Sequence, residues 1–129
     1  MKFLNSLFTV ATMMAASTLY AQTDKEELEH ARNAINVTKS CDDAMRFLSN
    51  VSAEGKTTAA YFMCMANAQD CKANNEQALY YYNKYLELQP KNDSIRKRVA
   101  ELSDSKTQQA RAANEERVAK EVYANTAHN

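Results

Sequence analysis

Glycine and proline are nearly missing from this 129-residue chain, which has one of each and no tryptophan. Average usage would place about nine glycines and six prolines in such a length. Those residues make tight turns and let backbone N–H groups approach phosphate, so their scarcity excludes nucleotide-binding loops and nucleophile elbows. Gly55 alone can serve neither. A β-sandwich would carry turn signals every ~8–12 residues, and none recur here. Net charge is missing as well, because sixteen acids balance sixteen lysines and arginines. A balanced chain has no general electrostatic hold on nucleic acid or anionic lipid, and neither is expected as a partner. The short run Arg96-Lys97-Arg98 reads as a solvated helix face. With 45% apolar side chains, what remains is one small all-α domain.

Residues 1–21 join the positive Lys2 to a charge-free apolar stretch that ends in small residues before Gln22. That layout predicts a secretory signal cut after Ala21, and hence a secreted or periplasmic protein. Asn5, Ser6, Thr9 and Thr12 dilute the stretch and no basic stop-transfer cluster follows it, so a stable membrane anchor is not expected. No cysteine lies at the cut to carry a lipid.

Two amphipathic patterns follow one another between residues 59 and 89, divided at Asn74 and Asn75. Phe62, Met65, Ala66 and Gln69 share one stripe, and Ala78, Tyr81, Tyr82, Tyr85 and Leu88 share the other. Helices joined by so few residues fold back as an antiparallel hairpin, and Pro90 stops the second by disfavouring helical geometry at Gln89. An equivalent pair is expected upstream: a helix over about 24–37 carrying Leu28, Ala31 and Ile35, then one through Ala44 and Leu48. Downstream, Ile95, Val99 and Leu102 are followed by Ser103, Asp104 and Ser105, which predicts that the apolar helix ends early. A charged capping helix fraying toward Asn129 is expected after that.

The segment AAYFMCMANAQDCKANNEQALYYYNKYLELQPKND resembles a tetratricopeptide repeat, a 34-residue helical hairpin closed by proline. Phe62 stands at the family's large aromatic, Met65 at its leucine, Ala66 and Ala78 at its small contact positions, Tyr82 at its second aromatic and Pro90 at its proline. Gln69 in place of tyrosine and Tyr85 in place of alanine depart from the pattern. Stepping back one repeat length from Ala78 reaches Ala44, and from Tyr82 reaches Leu48. The resemblance implies antiparallel hairpins stacked as a short superhelix with a C-terminal capping helix. Residues 22–56 would form a degenerate hairpin, 57–92 a fuller one, and 93–129 the cap and a charged helix or tail. Fewer than ~3 units rarely stand alone, so a disulfide, self-association or a larger partner must compensate.

Three cysteines, Cys41, Cys64 and Cys71, face an oxidising compartment if the chain is exported. Stacking as in the family implies a Cys41–Cys71 bridge; small buried residues are the plainer reading. Cys64 and Cys71 lie two turns apart on one helix and are too distant to pair. No Cys-x-x-Cys spacing occurs, and no base or cation adjoins Cys64 to activate it. Glu26 and His30 stand one turn apart but lack a third ligand, so no metal is expected. No serine or cysteine has a histidine base in register, which points away from an enzyme and from any cofactor. Asn36-Val-Thr38, Asn50-Val-Ser52 and Asn92-Asp-Ser94 fit the glycosylation tripeptide at about chance frequency.

The resemblance implies a non-enzymatic module that holds a protein or peptide segment in a concave groove. Carried over by position, the groove would present Glu26, Glu29, Asn33 and Asn36, then Ala60, Met63, Asn67 and Asp70. Met63 and Asn67 would contact a partner while contributing little to folding. Glu29 and Met63 occupy the places of the family's carboxylate-clamping lysines, so carboxylate recognition is not carried over, and an acidic, partly apolar groove suits a basic or neutral partner segment. Tyr80, on the opposite face from the buried Tyr82 stripe, is the alternative binding surface. A thiol-dependent envelope factor using an unpaired cysteine, or a structural subunit of an envelope assembly, is the rival function.

Overall fold

The computed structural model describes residues 4–127, with side chains from Leu19 onward. Five helices follow one another: α1 (Leu4–Asn36), α2 (Cys41–Ser49), α3 (Ala59–Cys71), α4 (Asn75–Leu88) and α5 (Asp93–Thr126). The described residues contain no strand, and none of their helices is long and apolar enough to cross a membrane. Most of the segment read as an export signal lies outside the described side chains. The cut expected after Ala21 falls inside α1, which runs on unbroken to Asn36.

Local chemistry sets the helix ends. Ser40 caps α2 by accepting the Asp43 N–H, Thr58 caps α3 through Tyr61, and Asn92 caps α5 through Ile95. Pro90 lies two residues beyond the end of α4. The α1–α2 and α3–α4 connections each turn through one residue in the left-handed region, Lys39 and Ala73, both with φ of 57°. They stand 34 positions apart in the sequence, as do the first residues of α2 and α4, Cys41 and Asn75.

The same interval runs through the core. Ala44 and Ala78 are both fully buried, and Leu48 and Tyr82 are buried one turn further along their helices. Ala34 and Ala68 repeat it on the opposing helices. Methyl side chains at these points let backbones approach closely, which larger residues would prevent. One core cluster joins α1, α2 and α3 through Leu28, Ala31, Leu48, Val51, Cys64 and Met65. A second joins α3, α4 and α5 through Ala66, Ala78, Tyr82 and Leu102, with Met63, Ile95 and Val99 packed against it. Helix α3 is therefore buried on two sides and links the clusters.

Three expectations need correction. The first helix does not begin near residue 24 but is the last part of a longer one. Ser103, Asp104 and Ser105 do not interrupt α5, because no glycine or proline is there to break the backbone ladder. The apolar stripe ends at Leu102 while the helix continues, and the charged pairs Arg117–Glu121 and Lys120–Glu116 lie along the exposed extension. Finally, Arg98 is not simply solvated, as its contacts below show.

Candidate functional site

Cys41 and Cys71 form a disulfide pair with Cα atoms 5.7 Å apart, joining the start of α2 to the end of α3. The contact fixes these two helices as antiparallel neighbours, and Lys72 pairs with Asp42 at 2.5 Å beside it. Cys64 is free and buried, at 1% exposure. Burial pushes its thiol up, against an opposing pull from Arg32. Arg32 is a nearby cation that adjacency in sequence could not reveal, since it comes from α1. A buried thiol held in its neutral form is poorly placed for exchange chemistry.

Glu26, Glu29, Asn33 and Asn36 stand in one row on the exposed face of α1. Their spacing of three and four residues keeps them on one side of the helix. Among the described residues none of their side chains makes a hydrogen bond or ion pair, so their polar atoms face solvent. His30, one turn from Glu26, stacks on Phe47 at 5.1 Å between ring centroids. Among the described residues no cluster of three potential ligands occurs.

The α3 row behaves differently. Asn67 Oδ1 accepts from the Tyr82 hydroxyl at 2.8 Å, and Asp70 lies 3.1 Å from the same hydroxyl. Arg98 grips Asp70 with two nitrogens, Nη2 at 2.6 Å and Nε at 2.8 Å, and reaches Glu101 at 3.1 Å. This fork holds the Asp70 carboxyl below the usual carboxylate range, while burial pushes the Tyr82 phenol up. Met63 packs on the second core cluster. Met63 and Asn67 are thus tied into the fold, contrary to the expectation that they contribute little to it. Ala60 is half-buried at the start of α3.

A cleft of about 540 Å³ opens where α1 passes the α2–α3 connection. Leu28 and Ala60 supply apolar lining, Lys25, Arg32 and Glu54 supply charge, and Tyr20 and Ala21 form part of the wall. Its base is fixed by Asp24, whose carboxylate accepts the Ser52 N–H at 2.7 Å and the Ser52 hydroxyl at 2.5 Å. Ser52 Oγ in turn accepts the Gly55 N–H at 3.0 Å. Gly55 is buried, and a Cβ there would strike the Asp24 carboxylate and come within 2.6 Å of Val51 Cγ1. Sequence reading missed this knot. Its one available signal was the chain's single glycine, and nothing indicated that Asp24 would meet it.

On the other face Tyr80 is 53% exposed. It packs edge-on against Tyr81 with centroids 5.0 Å apart, and Lys84 lies over its ring at 5.9 Å. Tyr81 and Tyr85 are only half-buried, leaving Tyr82 as the fully inward tyrosine of that stripe. Of the glycosylation tripeptides, Asn92 is committed to capping α5 and to Tyr85, and Ser52 to Asp24. No protein-family model, curated protein or solved structure matches the chain.

Proposed function

We propose that this chain is an exported, non-enzymatic protein-interaction module of the tetratricopeptide type. Its hairpins stack as a short superhelix closed by α5, and it holds a partner segment against the face of α1 and the start of α3. The observation that carries this reading is the 34-residue recurrence of structure, from the left-handed Lys39 and Ala73 to the buried pairs Ala44–Ala78 and Leu48–Tyr82. A repeat of that length, built from helix pairs, is an architecture whose free helix faces serve as extended binding surfaces.

The uncommitted row Glu26, Glu29, Asn33 and Asn36 is where such a surface has polar atoms to offer. Asn67 and Asp70 spend theirs on Tyr82 and Arg98, so they support the groove wall rather than line it. The cleft above Ser52 adds an apolar recess at the end of the row, and an exported chain cut after Ala21 opens it further by losing Tyr20 and Ala21. Two glutamates flanked by asparagines suit a basic or neutral partner segment. Photoreactive residues placed at Asn33 and, separately, at Tyr80 in the exporting cell test this reading. Capture of one defined chain from Asn33 and not from Tyr80 supports the groove, and the reverse pattern assigns binding to the aromatic face.

A second reading, a structural subunit of an envelope assembly, draws on α5. Beyond residue 106 this helix is exposed all round and carries Val118, Val122 and Tyr123 at 44%, 58% and 78% exposure. A lone solvated helix of this kind is marginal in water unless something packs on it.

A further inference from the structure

The cut expected after Ala21 would leave Gln22 as the first residue of the exported chain. We propose that Gln22 is a modification site: its amino-terminal nitrogen closes onto its own side chain, and the mature protein begins with pyroglutamate. This rests on the export reading above.

The chemistry needs no further reactant. The unprotonated α-amino nitrogen attacks the Gln22 carboxamide carbon, and a new N–C bond closes a five-membered lactam. The bond from that carbon to the amide nitrogen breaks. That nitrogen leaves as ammonia, carrying the proton given up by the amine. An α-amino group titrates near about 8, so a usable fraction is unprotonated at neutral pH. The ring consists only of atoms of Gln22 itself, so closing it asks nothing of the helix that follows. Gln22 is exposed, so its side chain has room to turn back on its own nitrogen.

The position of Asp24 gives the ring a consequence. Asp24 is the residue by which this end of α1 is fastened to the body, through Ser52 and thereby Gly55. Among the described residues Leu28 is the first core residue of α1. Only Gln22 and Thr23 separate the expected terminus from that fastening. An aminopeptidase acting on a free amine would need three cycles to remove Asp24 and release the Ser52 loop. A lactam has no free amine to grip, so the ring seals the chain two residues before the anchor.

The test is mass spectrometry of the protein recovered from the exporting host, handled in acid so that no ring forms during preparation. Aminopeptidase challenge and thermal melting then follow on the same material. The expected terminal peptide begins at Gln22, is lighter by one ammonia, and is not shortened by the peptidase. The Gln22→Ala variant, cut at the same place, should be trimmed through Asp24 and melt lower afterwards. A terminal Gln22 retaining its full mass, trimmed as fast as in Gln22→Ala, overturns the modification while leaving the export cut in place. A terminus at any other residue overturns the cut, and the modification with it.

Discussion

Lys39 and Ala73 occupy the same backbone state, φ 57°, at matching turns 34 positions apart, and neither is glycine. Left-handed geometry crowds a Cβ against the neighbouring carbonyl at a cost of roughly 1–2 kcal/mol. The turn geometry is thus set by the two helix pairs and not by the residues in it. Ala73→Gly should stabilise the protein by about 0.5–1 kcal/mol, part of the relief being offset by the looser unfolded chain. Ala73→Val should destabilise it, since a β-branched residue tolerates this region least. Denaturant midpoints of the two variants check both signs.

The knot at Asp24 predicts an unusual sensitivity at the only glycine. Gly55→Ala forces a methyl group into Asp24 and Val51, and should cost about 1–3 kcal/mol as the loop yields. Asp24→Ala removes the acceptor for Ser52 and should cost a similar amount, because the Ser52 N–H then loses its partner in a half-buried site. The two effects should be less than additive, because with Asp24 gone the new methyl meets less resistance. A double-mutant cycle by chemical denaturation measures this.

Much of the fold was legible because the relevant signals are local or periodic. The step from Ala78 to Ala44 and from Tyr82 to Leu48 finds positions that are buried in pairs. The Cys41–Cys71 pairing followed from the antiparallel packing that the resemblance implied. What escaped depends on long side chains crossing between helices. Arg98 sits in a basic run that looks solvated, yet its guanidinium reaches Asp70 on α3, 28 positions away. Arg32 on α1, likewise far from Cys64 in sequence, pulls against the upward push that burial gives the Cys64 thiol. The length of α5 escaped for a different reason: amphipathic patterning reports where a helix is packed, and a helix without breakers can outlast its packing.

Acid should expose the Asp70–Arg98 contact. The guanidinium holds the Asp70 carboxyl below its value in the unfolded chain. The stabilisation is therefore complete above the ordinary carboxylate range near about 4 and is lost as pH falls through the lowered folded value. Asp70→Asn should lower stability at neutral pH by about 1–2 kcal/mol, allowing for the partial exposure of Arg98. It should also flatten the loss of stability below about pH 4. Melting temperatures of both proteins between neutral and strongly acid pH check the sign.

Reduction should weaken the whole molecule, since the Cys41–Cys71 bridge closes a loop with a sequence separation of 30. Chain-entropy arguments put the effect at about 3–4 kcal/mol, a large part of the stability of a small domain. The Cys41→Ser/Cys71→Ser variant should melt far below the parent and no longer respond to reductant. Cys64 should remain unmodified by a thiol reagent in the native parent and become reactive on unfolding, as its burial requires.

The most direct test of partner binding by α1 compares retention of the crosslink-identified partner by two variants with the parent. Glu29→Lys/Asn33→Asp alters two exposed side chains that bond to nothing else among the described residues, so its melting temperature should stay within a few degrees of the parent. It should nonetheless lose the partner, while Tyr80→Ala keeps it. Retention by the Glu29→Lys/Asn33→Asp variant together with loss by Tyr80→Ala would contradict the groove assignment and move the binding site to the aromatic face of α4.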